Sequence, residues 1–327
     1  MNRRPMEAFP ADPAIIFMGT PEYAVPSLAK LVELGYVVRA VVTQPDRPKG
    51  RGRKPVFPPV KAAAQRFGLP ILQPEKAWDR NFCRTIQDLA PDLLVVVAFG
   101  QVLKKIILDI PRWGGLNIHA SLLPRYRGAA PIQWAVINDE SETGLTAMHM
   151  DEGLDTGPIL FQEAVRIGPN ETAGELHDRL SLLSGEVLTA TLEGLIAHEL
   201  RETAQNPSLA TYAPKIDRGM SRVAWSRSAR SISALIRGLD PWPGAATLVR
   251  GKEIKLFSAR IEAPDGPGIS GRPIPGRVAG RSAEGLWVET GEGTIRIREL
   301  QAPGRRRLPA SEFLRGFPID EGMVLGI

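Results

Sequence analysis

Over the first two thirds of the chain, short and largely apolar runs alternate with longer stretches in which apolar residues recur every three or four positions. Residues 14–18 (Ala-Ile-Ile-Phe-Met) stop at Gly19, and residues 37–42, 70–73, 92–98, 116–119 and 146–150 repeat the theme. Between them, residues 25–34, 60–67, 81–89 and 130–137 have helical spacing. Strands that are apolar on both faces need covering on both, which a parallel sheet flanked by helices supplies. The pattern predicts an α/β fold with a doubly wound, mostly parallel, Rossmann-like sheet. A long helix follows over 173–198, with Leu176, Leu180, Leu183, Val187, Leu188, Leu192 and Leu195 in one stripe that reads as core.

The periodicity then breaks. Residues 205–214 read as a linker, 228–239 as a helix, and 246–249, 253–257, 285–288 and 294–297 as short strands between Gly and Pro. Such spacing predicts a small, OB-like β-barrel. The expected domains are 1–204, with a basic loop at 44–55, a linker over 205–220, and the barrel over 221–327.

Composition narrows the classes. No apolar run approaches the roughly 18 residues of a membrane span. Residues 1–14 lack the apolar stretch of a signal peptide, so a cytoplasmic protein is expected. Cys83 is the only cysteine, which excludes an internal disulfide and any Cys-cluster metal site. It lies in a polar helical run and reads as an inert thiol.

Charge is unevenly placed. Residues 205–327 hold 19 basic and 12 acidic side chains, and residues 1–204 hold 22 and 24. Within the latter, residues 39–54 contribute six basic residues against one acid. Two basic zones on an otherwise acidic body point to a polyanion met at two places.

Candidate chemistry concentrates in residues 116–133. On a strand, Asn117 and His119 project to the same face, at the carboxyl end where α/β sheets bind ligands. Side by side, an amide and an imidazole can hydrogen-bond one carbonyl oxygen and stabilise negative charge developing on it. Downstream, Met150-Asp-Glu-Gly-Leu-Asp-Thr-Gly157 offers Asp151, Glu152 and Asp155. A carboxylate there can hold the imidazole in its charged form or order a water for proton transfer. Spacing alone does not choose between Asp151 and Asp155. His149 reads as strand packing, and His177 and His198 as helix surface. Gly19-Thr-Pro21 is a tight turn without a dinucleotide fingerprint.

Several motifs resemble one family. Phe17-Met-Gly-Thr-Pro-Glu-Tyr-Ala-Val-Pro-Ser27, Thr43-Gln-Pro-Asp-Arg-Pro-Lys-Gly-Arg-Gly52, Asn117-Ile-His-Ala-Ser-Leu-Leu-Pro-Arg-Tyr-Arg-Gly-Ala-Ala-Pro-Ile-Gln133 and Gly153-Leu-Asp-Thr-Gly157 are similar to the 10-formyltetrahydrofolate-dependent formyltransferases. Within that family they most resemble the members that formylate the α-amine of methionyl initiator tRNA. Tyr212-Ala-Pro-Lys-Ile216, Leu239-Asp-Pro-Trp-Pro243 and Glu299-Leu-Gln301 continue the match. Asp240 stands where the family more often has Asn, a change expected to be harmless.

The resemblance implies catalytic roles for Asn117, His119 and Asp155, and so separates Asp155 from Asp151. It implies a folate turn at Ser121, Leu122, Leu123 and Pro124, with Phe99, Gly100, Gln101, Leu103, Glu152, Gly153 and Leu154 enclosing the pterin. The co-substrate would be 10-formyltetrahydrofolate, with no metal and no enzyme nucleophile. An α-amine titrates near ~8, so no strong base is needed to free its lone pair. The demand falls on the tetrahedral intermediate, whose oxyanion Asn117 and His119 would bind.

The resemblance also places tRNA contacts at Lys49, Arg51, Arg53 and Lys54 of the basic loop, which reads as exposed and without an apolar anchor. Arg305, Arg306 and Arg307 would form a second patch, with Arg296 and Arg298 on a strand. The expected partners are methionyl initiator tRNA and the folate, and the expected state is a monomer. Two competing readings are formyl transfer to a small amine, such as an aminosugar nucleotide or glycinamide ribonucleotide, and a noncatalytic tRNA-binding protein. A small acceptor requires neither basic zone, and a decayed site would not retain Asn117, His119 and Asp155 together.

Overall fold

β1 (Ile15–Gly19) is buried along its whole length, as its unbroken apolar sequence requires. The computed structural model describes residues 8–49, 54–262 and 273–326. After β1 come α1 (Val25–Glu33), β2 (Val38–Val42), an antiparallel hairpin of β3 (Arg47–Lys49) and β4 (Lys54–Val56), α2 (Pro59–Arg66), β5 (Ile71–Leu72), α3 (Arg80–Asp88), β6 (Leu93–Val97), the single turn α4 (Lys105–Leu108) and β7 (Gly115–His119). β8 (Arg127–Gly128), α5 (Pro131–Ile137), β9 (Glu142–His149), β10 (Ile159–Arg166) and α6 (Ala173–Ile196) complete this part of the chain.

The seven-stranded sheet has the order β10-β9-β7-β6-β1-β2-β5. β5, β2, β1, β6 and β7 are parallel, and β9 runs antiparallel to β7. The carboxyl ends of β1, β2, β6 and β7 therefore share one edge, where ligands of such sheets bind. α6 approaches α1 closely through small side chains: Ser184 shares a 2.7 Å hydrogen bond with Ser27, and a Cβ on Gly185 would lie 3.3 Å from the Pro26 carbonyl. Its amino end carries a capping box, with Thr172 Oγ1 accepting from the Glu175 N–H and Glu175 accepting from the Thr172 N–H.

The later elements are β11 (Tyr212–Ala213), α7 (Ala229–Gly238), β12 (Ala245–Val249), β13 (Lys252–Ile261), β14 (Val278–Ser282), β15 (Gly285–Glu289), β16 (Thr294–Gln301), β17 (Leu308–Pro309) and α8 (Ala310–Gly316). β12-β13-β16-β15-β14 form an antiparallel sheet with β17 added to β16, consistent with a small barrel. Ile295 and Ile297 of β16 join a core with Trp225, Ile232, Leu256, Val288 and Phe313, while Arg298 points outward.

By packing, residues 1–128, 143–165 and 177–212 make one unit, and residues 129–142, 166–176 and 213–327 the other. The linear division expected near residue 205 assigns 129–142 and 166–176 differently. α5, read as a helix of the first domain, packs on α7 in the second unit. Residues 205–212, read as linker, belong to the first unit. The basic loop also differs from expectation: it is a hairpin with Arg47 opposite Val56 and Lys49 opposite Lys54. β10 has no counterpart in the sequence reading, because on this edge strand, with one buried residue of eight, the apolar run is only the three residues Ile159-Leu-Phe161.

Candidate active site

Asn117 and His119 project from β7, flanked by β6 and β9: Val96 is Asn117's neighbour in register on one side and Met148 on the other. His119 is buried. Its Nε2 lies 3.0 Å from the Tyr126 carbonyl oxygen, and its Nδ1 lies 3.7 Å from Asp155 Oδ2. A carbonyl only accepts, so Nε2 carries the proton in that contact. Nδ1 is then the nitrogen that faces the carboxylate. In this structure Nε2–H thus meets the Tyr126 carbonyl, whereas the sequence reading expects the imidazole to bind the oxyanion.

Asp155 is the carboxylate brought to the imidazole. It has a left-handed backbone, with φ of 53°, and its Oδ2 accepts from the Gly128 N–H at 2.8 Å. Asp151 is spent inside the loop, where its Oδ1 accepts from the Gly153 N–H and Thr156 Oγ1 at 3.0 and 2.7 Å. Gly153 and Gly157 are required by close approach: a Cβ would fall 1.9 Å from Thr156 Oγ1 and 1.8 Å from the His149 carbonyl, respectively. Glu152, Gly153 and Leu154 are exposed on this loop.

The turn Ser121-Leu-Leu-Pro124 contains a cis Leu123–Pro124 bond and is closed by Ser121 Oγ donating to the Arg125 carbonyl at 2.6 Å. Thr146 of β9 ties it down. Its hydroxyl donates to the Ser121 carbonyl at 2.6 Å and accepts from the Leu123 N–H at 3.0 Å and Gln162 Nε2 at 2.9 Å. That is all a hydroxyl can do. Gln162 Nε2 also reaches the Leu123 carbonyl at 3.0 Å. Sequence reasoning missed both residues. The available signal was a lone threonine inside the apolar run of β9, whereas nothing distinguished Gln162 on its edge strand.

The stretch expected beside the pterin is divided. Phe99 and Leu103 turn into the core. The Gln101 amide bonds its own chain, accepting from the Ala77 N–H at 2.8 Å and donating to the Pro74 carbonyl at 3.1 Å. Gly100, with φ of 82°, stays exposed. The Phe99 carbonyl accepts from Thr20 Oγ1 at 2.7 Å, which fixes the backbone there. Cys83 is buried in α3, where burial and then the Asp79 charge push its thiol up.

Of the expected tRNA contacts, Arg51 and Arg53 lie outside the described residues, and Lys49 and Lys54 form the last pair of the hairpin before its tip. Arg305 and Arg306 are exposed. Arg307 is not free to meet a phosphate: its guanidinium bonds Glu299 at 2.5 Å, Asp240 at 3.0 Å and Ser258 Oγ at 3.1 Å, and lies over the Phe257 ring. Asp240 is buried, and burial, helped by the charges of Glu299 and Glu175, raises its carboxyl despite the Arg307 guanidinium. Burial alone would raise Glu299 too, but hydrogen bonds from Ser258 and Arg307 hold it below the usual carboxylate range. Arg296 is likewise paired, with Glu262 and Glu284.

Two family models cover most of the chain: formyl transferase over residues 14–192 and formyl transferase, C-terminal domain, over residues 215–318. The methionyl-tRNA formyltransferase of Geobacter sulfurreducens is 51% identical over 312 residues, covering 95% of this chain and 96% of its own. That of Pelotomaculum thermopropionicum is 48% identical, covering 95% and 98%. Among solved structures, the sugar 3N-formyl transferase WlaRD, crystallised with dTDP and 5-N-formyl-THF, matches with a TM-score of 0.66 at 17% identity, covering 91% of this chain and all of its own. HypX from Aquifex aeolicus with tetrahydrofolic acid matches with a TM-score of 0.62 at 18% identity, covering 97% of this chain and 51% of its own.

Proposed function

Because the chain belongs to the formyl transferase family in both its N-terminal and its C-terminal domain, we propose that it transfers the formyl group of 10-formyltetrahydrofolate to the α-amine of methionyl initiator tRNA, in the cytoplasm, for the start of protein synthesis. Near-full-length relatives at about half identity bear that activity in their names.

The reaction adds the neutral amine to the formyl carbon and forms an oxyanion. Collapse breaks the bond to N10, which takes up a proton while the amine gives one up. Asn117 donates its amide N–H to the oxygen. His119, oriented by Asp155, turns its N–H from the Tyr126 carbonyl to the stronger acceptor as the oxyanion forms. Asp155 receives the ammonium proton through water. The turn Ser121 to Pro124 and the loop Glu152 to Leu154 hold the folate. Lys49, Arg51, Arg53 and Lys54 of the basic segment, with Arg305 and Arg306, meet the phosphates of the tRNA.

The observation carrying this reading is the 3.7 Å approach of Asp155 to His119, made by two motifs far apart in sequence. A formyl-transfer assay offering charged initiator tRNA beside free small amines tests it. Product on tRNA alone supports the reading, and equal use of an aminosugar nucleotide or glycinamide ribonucleotide contradicts it.

A further inference from the structure

Gln205 falls in the segment that reads as a linker, yet its amide is bonded on every side. Oε1 accepts from Arg127 Nε and Nη2 at 3.1 and 2.6 Å, and Nε2 donates to the carbonyls of Asp155 and Gly157 at 2.9 and 2.8 Å. Two acceptor sites and two donors are the full capacity of the group. A flipped amide would set oxygen against two carbonyls and NH₂ against a guanidinium, so the network admits one orientation.

The partners are the two segments that set the geometry of the imidazole. Residues 126–128 supply the Tyr126 carbonyl to His119 and the Gly128 N–H to the Asp155 carboxylate. Residues 151–157 supply Asp155 itself, in a left-handed conformation that a residue with a Cβ keeps only when its surroundings hold it there. Gln205 is bonded to both. Thr211, in the same segment, adds a second clamp, with its Oγ1 accepting from the Tyr126 N–H at 2.8 Å and its carbonyl accepting from the Arg127 N–H at 2.9 Å.

We infer that Gln205 is a positioning residue: by joining Arg127 to the carbonyls of Asp155 and Gly157, it fixes the distance between the Asp155 carboxylate and His119. The inference rests on the role proposed above for Asp155. A group misplaced by about an ångström loses on the order of 100-fold in rate, so even partial release of the loop is measurable.

Gln205→Glu keeps an acceptor for Arg127 but places carboxylate oxygens against two carbonyls. Gln205→Met keeps the length and removes every hydrogen bond. In the full-length protein, both should lower kcat roughly 10- to 100-fold, with KM for methionyl-tRNA nearly unchanged. Gln205→Asn, which retains the amide, should recover part of the loss. Each change is also made in an Asp155→Asn background, where it should cost little more, because the group it positions is already disabled. A normal kcat for Gln205→Met, or the same fold loss with and without Asp155, overturns the inference. Normal turnover of Asp155→Asn alone would instead overturn the role given to Asp155, so the two failures are distinct.

Discussion

Thr146 lies directly opposite His119 in the antiparallel β7–β9 ladder, and its hydroxyl closes the turn that begins two residues beyond the histidine. Imidazole and folate turn are thereby referred to one point on the sheet. Thr146→Val preserves shape and strips three hydrogen bonds from buried or half-buried groups. The expected cost is about 1–3 kcal/mol, read as a lower denaturant midpoint, together with weaker binding of a folate analogue. A variant as stable as the parent would remove Thr146 from this role.

Asp155→Asn retains an acceptor for the Gly128 N–H and removes the charge beside His119. Turnover should drop about 100- to 10,000-fold with folate affinity mostly kept. Asp151→Asn, whose remaining oxygen still accepts from Gly153 and Thr156, should lose far less. Single-turnover rates and folate titrations on the same preparations decide the matter, and equal losses in the two variants would contradict it.

The Asp240 carboxyl sits above its ordinary range because it is buried. A carboxyl whose native pKa is raised binds protons more tightly in the folded chain. Its stabilising contribution is complete below the unfolded value near ~3.9 and is lost as pH rises through the native value. Asp240→Asn still offers Arg307 an oxygen and has no proton to lose, so it should gain stability relative to the parent as pH rises above the unfolded value near ~3.9. Denaturant midpoints of both proteins above that pH show whether the difference grows with pH, as expected, or stays flat.

Reversing Arg305 and Arg306 together should reduce the salt dependence of tRNA binding by about 0.7 to 0.9 per contact on logarithmic axes, leaving stability and folate affinity unchanged. Replacing residues 49–54 by a Gly-Ser tip should weaken tRNA binding in the same way. Arg307→Glu differs in kind. It sets a new carboxylate beside Glu299 and Asp240, so thermal stability should fall, and a stable variant with a flattened salt slope would return Arg307 to the tRNA surface.

The alternation of apolar strands and helices made the sheet legible, since a strand buried on both faces has nowhere to place polar residues. Asn117 and His119 were legible because strand geometry pairs alternate positions. The choice of Asp155 over Asp151 came from the family resemblance and not from spacing, because it depends on which loop carboxylate is consumed by its own turn. Arg307 was misread for a related reason: a run of three arginines does not reveal that the third lies against Glu299 and Asp240. Gln205 left no trace, since an amide that matters through four hydrogen bonds to distant residues looks like any polar linker residue.

The interleaving of the two units bears on how such a protein is inherited and made. α5 lies on α7 so tightly that a Cβ on Gly238 would meet Ile137 Cγ1 at 2.3 Å and the Gln133 carbonyl at 3.1 Å. Trp134 and Ile137, the α5 residues that pack on the core to which Ile232 and Ile236 of α7 belong, are translated long before α7 leaves the ribosome. During synthesis that apolar face has to wait while the strands around it are already available to pair. Recombination that joins the front of one relative to the back of another at the apparent linker would bring together an α5 and an α7 that had not diverged as a pair. The seam between them ties together the histories of two sequence modules that look separable.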